Sequence, residues 1–168
     1  MAFETVPNVQ DYLLTLNINI EPVIRDVLPG VHIHPLFLDV ENGTWVLYVK
    51  FEPGTVLPSH FHTGTVHFYT TAGTWNYSEY PDDRQTAGSY LYEPGGSIHT
   101  FEVPADATEA AEGFMVVSGA NINFAADGSF MNIMDTGWIE QAILAACREK
   151  GMTPPRYIKP GGKADFTR

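Results

Sequence analysis

The sequence has one cysteine, few basic residues and no long apolar run. The single cysteine, Cys147, excludes an internal disulfide framework. Only 9 Lys and Arg residues oppose 20 Asp and Glu residues, so the net charge is -11, and we expect neither nucleic acid nor an anionic membrane as a partner. No run of about 18 apolar residues is present to span a membrane. The opening residues MAFETVPNVQ lack the basic and apolar regions of a secretory signal, so we expect a cytoplasmic protein.

The sequence is rich in short β-prone segments that are separated by turn residues. Strand-like runs occupy residues 31–40, 44–52, 66–71, 74–80, 89–94, 98–103 and 113–119. The first two are joined by Asn42-Gly43, the strongest short hairpin signal. This spacing predicts an antiparallel sandwich or barrel, and the 168 residues predict a single domain over 1–168.

One amphipathic helix is predicted at about residues 136–150, after all of these strands. Asp135 or Thr136 can cap its start, Gly151 can end it, and Pro154 prevents its continuation. Its apolar stripe comprises Trp138, Ile139, Ala142, Ile143 and Ala146.

Three histidines lie close together in the stretch LPSHFHTGTVHFY (57–69). His60 and His62 are two positions apart, so on a strand both rings lie on one face, about 7 Å apart at the backbone. Two such rings can bind one metal ion, although a His-x-His pair by itself also occurs on strands without a metal.

The spacing around this pair, and a second set of residues downstream, resembles the two motifs of the cupin family. The first set spans residues 54–73 and comprises Gly54, His60, His62 and Gly73. The second spans residues 88–103 and comprises Gly88, Pro94, Gly96 and His99. The resemblance implies a small antiparallel jelly-roll barrel, all-β apart from the C-terminal helix, with a metal on His60, His62 and His99. His67 is the alternative ligand.

The sequence departs from the family motifs at two positions. Val66 stands where the first motif usually carries a glutamate, and Val103 stands at the closing position of the second motif. We therefore expect three neutral imidazoles with an apolar neighbour in place of the carboxylate, an arrangement that favours an anionic bidentate oxygen ligand.

Within the cupins, the elements HFHTG, WNYSEYP, TAGSYLYEP and GSIHT resemble the 2,4'-dihydroxyacetophenone dioxygenase family. This resemblance implies a homo-oligomeric enzyme, a dimer or tetramer, that uses Fe(II) and O₂. Its reaction would convert the small aromatic hydroxyketone into 4-hydroxybenzoate and formate. Zn(II) can replace Fe(II) in a purified sample because it binds imidazole more tightly.

Two side chains are predicted to assist the chemistry: Glu93 would orient a ligand or accept a proton, and Tyr77 would hold a ketone oxygen. Residues sharing strand faces with the motifs predict an aromatic pocket, with a wall of Val66, Phe68, Trp75, Tyr90, Tyr92 and Phe101.

Two alternative functions remain open from the sequence. One is another cupin enzyme, either a three-histidine dioxygenase acting on β-diketones or, less consistent with Val66, a metal-dependent isomerase. The other is a non-catalytic metal-binding sensor, similar to the zinc modules that restrain sigma factors.

Overall fold

A computed structural model describes residues 13–161, which form twelve strands and one helix. The strands are β1 (Ile24–Leu28), β2 (Val31–Asp39), β3 (Thr44–Phe51), β4 (His60–His62), β5 (Val66–Ala72), β6 (Thr74–Tyr77), β7 (Tyr80–Thr86), β8 (Tyr90–Glu93), β9 (Phe101–Glu102), β10 (Ala111–Ser118), β11 (Asn121–Phe124) and β12 (Phe130–Met134). The helix, α1, spans Thr136–Glu149. The predicted all-β antiparallel fold with one C-terminal helix is confirmed.

The strands form two layers that enclose the core. One layer is a six-stranded sheet in the order β1-β2-β3-β10-β5-β8. The other consists of two three-stranded sheets, β12-β11-β4 and β7-β6-β9. The backbones of His60 and His99 join these two small sheets, because each N–H donates to the carbonyl of the other residue at 2.9 Å.

Strict alternation along the central strand β3 explains how the core is filled. In TWVLYVKF every second residue is buried, so Trp45, Leu47, Val49 and Phe51 point between the layers. Aromatic rings from the opposite layer meet them, and the ring centroids of Phe51 and Phe101 are 4.3 Å apart. The core therefore combines aliphatic and aromatic side chains between the two layers, one of which carries the histidine motifs.

Helix α1 closes one side of the barrel. The side chain of Asp135 accepts a hydrogen bond from the Trp138 N–H at 2.7 Å, which satisfies a free donor at the helix start. The buried carboxylate of Glu140 accepts hydrogen bonds from the Tyr157 hydroxyl and from Lys159 Nζ, which fastens the following segment. No helix within residues 13–161 is long and apolar enough to cross a membrane.

Several strands differ from the sequence prediction. The segment Pro81–Asp83, whose residues are typical of a turn, lies inside β7, an exposed edge strand where proline and acidic residues are tolerated. Strands β1, β11 and β12 are not predicted by the residue pattern, because their sequences mix apolar and polar residues without a clear period.

Candidate metal centre

His60, His62 and His99 converge on the inner surface of the barrel. The first two come from β4, and the third is paired with His60 across the seam between the two small sheets. Their exposed fractions are only 6%, 3% and 2%, and one ring nitrogen of each lies within 4.8 Å of those of the other two. This arrangement brings together the three ligands that the sequence predicts.

Hydrogen bonding leaves ring nitrogens of the cluster free. Nδ1 of His60 donates to the Pro58 carbonyl at 2.8 Å, so Nε2 is the free nitrogen of this ring. Nδ1 of His62 and Nε2 of His99 are buried and have no hydrogen-bond partner among the described residues. An unpaired buried polar atom costs about 1–3 kcal/mol, so the cluster is set up to gain a ligand.

The three imidazoles are neutral near pH 7. Burial, together with the smaller effects of the nearby His60 and His99 rings, lowers the pKa of His62 to about 3. Burial and the neighbouring His60 likewise lower the pKa of His99 to about 4, and burial lowers the pKa of His60. Because a metal binds the neutral ring, these residues fit a divalent ion such as Zn(II) or Fe(II).

Glu93 adds a carboxylate to this cluster. It lies directly opposite Val66 in the pairing of β8 with β5, and only 7% of it is exposed. Its Oε2 atom is 3.4 Å from Nε2 of His62 and 3.3 Å from Nε2 of His99. The expectation that an apolar residue replaces the carboxylate is therefore wrong, because the neighbouring strand supplies one.

Tyr77 holds the other oxygen of this carboxylate. Its hydroxyl donates a short hydrogen bond to Oε1 of Glu93, whereas Oε2 has no hydrogen-bond partner among residues 13–161. Burial raises the pKa of Glu93 to about 7, and the hydrogen bond from Tyr77 opposes this shift. Burial and the Glu93 charge raise the pKa of Tyr77, which keeps its hydroxyl protonated and donating.

The runner-up histidine, His67, lies outside the cluster. It is exposed on the outer face of β5, where its Nδ1 is 2.7 Å from the hydroxyl oxygen of Tyr90. Alternation along the strand explains this, because Val66 and Phe68 occupy the inward positions on either side.

A cavity of about 380 Å³ adjoins the histidines. Of the predicted wall residues, Phe68, Trp75 and Phe101 line it, whereas Val66 is buried and does not line it, so the prediction for Val66 is corrected. Tyr90 and Tyr92 do not line it, because 61% and 53% of these residues are exposed on the outer face, and this prediction is corrected. The spacing of Tyr90 and Tyr92 places both on one face of β8 but does not indicate whether that face is the inner one. In the structure Leu91 and Glu93 point inward.

Much of the cavity wall comes from segments that the sequence did not assign to a site. Helix α1 contributes five of these residues: Trp138, Ile139, Ala142, Ile143 and Ala146. Strands β11 and β12 contribute Asn121, Asn123, Met131, Asn132 and Met134. The apolar stripe of the helix was recognisable from the sequence, but its contact with the site depends on tertiary packing.

An antiparallel barrel with three histidines converging on its inner surface is characteristic of the cupin class. Residues 22–121 match the model of the ChrR Cupin-like domain family, and the chain belongs to this family.

Solved structures share the fold. A protein of unknown function with a cupin-like fold from Ralstonia eutropha is 42% identical, with a TM-score of 0.88 over 96% of this chain and 100% of that chain. An RmlC-like cupin protein from the same organism is 25% identical, with a TM-score of 0.75 over 85% and 92%. An acetylacetone dioxygenase from Acinetobacter johnsonii, 16% identical, has a TM-score of 0.68 over 87% and 99%. Among curated proteins, no match to the chain was found.

Proposed function

We propose that this protein is a non-haem iron dioxygenase that cleaves the carbon–carbon bond of an aromatic α-hydroxyketone. With 2,4'-dihydroxyacetophenone the balanced reaction is C₈H₈O₃ + O₂ → C₇H₆O₃ + CH₂O₂, which gives 4-hydroxybenzoate and formate. The observation that carries this proposal is the cluster of three neutral, buried imidazoles that opens onto an apolar cavity beside one carboxylate.

His60, His62 and His99 would hold the iron, because one ring nitrogen of each lies within 4.8 Å of those of the other two. When bound, Fe(II) supplies a Lewis-acidic and redox-active centre for the two substrate oxygens and O₂. The tautomer of His60 is fixed by the Pro58 carbonyl, so this ring presents Nε2 without rearrangement.

Glu93 is the proton acceptor in this proposal. Its unpaired Oε2 faces the histidines, where a substrate hydroxyl would lie, and can receive the hydroxyl proton. Tyr77 acts by positioning Glu93. The sequence suggested that Tyr77 holds the ketone oxygen. Its hydroxyl already donates to Oε1 of Glu93, so in this proposal it does not have that role.

The cavity provides a place for the ring of the substrate. Its volume of about 380 Å³ is at the lower end of the range for small-molecule sites, which suits a ligand with a single ring. Phe68, Trp75 and Phe101 present aromatic surface to such a ring and keep water from the reacting bond.

A β-diketone substrate is the second candidate. The fold shared with a protein named acetylacetone dioxygenase favours it, and a diketone would also offer two oxygens to the histidine site. The partners in either case are a small organic substrate and O₂. We also propose that the protein is a homo-oligomer, a dimer or tetramer.

The test is oxygen uptake by protein reconstituted anaerobically with Fe(II). Uptake on adding 2,4'-dihydroxyacetophenone and air, matched one-to-one by formate, is expected for the wild type and for His67→Ala, and not for His99→Ala. Uptake with acetylacetone alone would favour the diketone reaction. Iron bound at the site with no uptake from either substrate would refute both reactions and leave the metal sensor.

A further inference from the structure

The cavity wall is polar on one side. Apart from the histidine cluster, Glu93 and Tyr77, its polar lining residues are asparagines: Asn121, Asn123 and Asn132. The remaining lining residues within 13–161 are aliphatic, aromatic, methionine or proline. The indole N–H groups of Trp45 and Trp75 are already donated, to the Gly119 carbonyl and to the Thr70 hydroxyl. The indole of Trp138, which also lines the cavity, can donate but cannot accept.

The asparagines extend from the histidines across the sheet. Asn123 lies opposite His60 in the pairing of β11 with β4, and Asn132 lies opposite Asn123 in the pairing of β12 with β11. Nδ2 of Asn123 donates to Oδ1 of Asn132 at 2.7 Å. Asn132 is thus two strands from His60, about 10 Å at the backbone.

This row has spare hydrogen-bonding capacity. The bond between the two amides uses one donor of Asn123 and one acceptor of Asn132, which leaves the carbonyl oxygen of Asn123 and the NH₂ group of Asn132. Next to them Asn121 lies opposite His62, and its side chain interacts with that ring. Amide groups at a cavity surface that keep free donor and acceptor atoms point to a ligand that carries a polar group.

We propose that the amide pair Asn123–Asn132 recognises the distal ring hydroxyl of the substrate. The hydroxyl donates to the carbonyl oxygen of Asn123 and accepts from the NH₂ group of Asn132, while the ketone end lies at the histidines. This inference rests on the proposed function, because it assigns one group of that substrate.

The position of the row agrees with this orientation, because Asn123 and Asn132 lie on the two strands next to the one that carries His60 and His62. Toward Leu47, Val49 and Ile143 the lining is apolar, and a buried hydroxyl there would find no side-chain partner. The asparagine row is the side of the cavity on which a distal hydroxyl can both donate and accept.

The experiment compares 4-hydroxybenzoate with benzoate, which differ only in the distal hydroxyl, by calorimetric titration of Zn(II)-loaded protein. Zn(II) has no redox chemistry, so binding is measured without turnover. The wild type is expected to bind 4-hydroxybenzoate about tenfold more tightly, the effect of one buried hydrogen bond. Asn132→Leu is expected to reduce the ratio of the two affinities to near one, mainly by weakening the binding of 4-hydroxybenzoate.

Met134→Leu is the matched control, because it changes an apolar lining residue of the same strand and should keep the ratio. Asn123→Leu is a second test at the other amide, and thermal melting verifies that each variant is folded. A wild-type ratio near one, no binding of either acid, or an unchanged ratio in Asn132→Leu would overturn the assignment. If the wild type prefers 4-hydroxybenzoate over benzoate as expected but consumes no O₂ with the substrate, the proposed reaction is refuted and the assignment of the asparagines stands.

Discussion

Zn(II) should raise the melting temperature of the wild-type protein, and the loss of any one ligand histidine should abolish most of that shift. At a free Zn(II) concentration one hundred times its Kd, binding to the native state stabilises it by about 2.7 kcal/mol. For a chain of this size each kcal/mol corresponds to about 2–4 °C, so we expect a shift of about 5–11 °C. The measurement is differential scanning fluorimetry with and without Zn(II).

The variants to compare are His60→Ala, His62→Ala, His99→Ala and His67→Ala. The first three remove a buried nitrogen of the cluster, whereas the fourth removes an exposed ring that contacts Tyr90. Truncating a buried residue also lowers the stability of the metal-free protein, so the quantity to compare is the shift within each variant. A full shift in His99→Ala, or its loss in His67→Ala, would refute the assignment of the ligands.

Three further predictions concern Tyr77, Ala142 and Glu140. Tyr77→Phe should lower turnover by roughly ten- to hundredfold, because Glu93 loses a charged hydrogen bond, and it should leave the Zn(II) shift intact. Ala142→Trp should fill part of the cavity. Calorimetry should then show that 4-hydroxybenzoate no longer binds although Zn(II) still does. Undiminished binding of 4-hydroxybenzoate would contradict the placement of the ligand. The hydrogen bonds from Lys159, and then from Tyr157, hold the pKa of Glu140 below its usual value. The stabilisation that results is present above about pH 4.3 and is lost as the pH falls through the lowered pKa. The difference in melting temperature between wild type and Glu140→Gln should therefore shrink in acid. A difference that stays constant with pH would contradict this reasoning.

The antiparallel strands and the His60–His62 pair were predictable because local geometry determines them, whereas His99 and the jelly-roll barrel followed from the resemblance to the cupin motifs. A His-x-His pair on a strand necessarily presents both rings on one face. The motif glycines mark turns that other residues enter only with strain, and Gly73 shows this, with a φ of +68° and a Cβ position that would collide with the Ala110 carbonyl. The cap and the stop of α1 are equally local, and the helix begins and ends within one residue of the prediction.

The rest of the site depends on contacts between distant segments. The opposition of Glu93 and Val66 follows from the register of β5 against β8, which neither strand specifies alone. The inward face of β8 was likewise undetermined, because TAGSYLYEP alternates tyrosines with Leu91 and Glu93 and either set could be buried. The sequence does not predict the asparagines of the cavity wall, Asn121, Asn123 and Asn132. Asparagine is depleted in strands, so their segments did not indicate β-structure.

The paired backbones of His60 and His99 have a consequence for the order in which the protein assembles. The two small sheets meet at these two residues, so the ligand set is complete only once residues far apart in the chain have closed the barrel. A metal ion would then stabilise the closed barrel, since it binds residues on both sides of the seam. Amide hydrogen exchange at His60 and His99 should slow when Zn(II) is added, by more than exchange in the central strand β3.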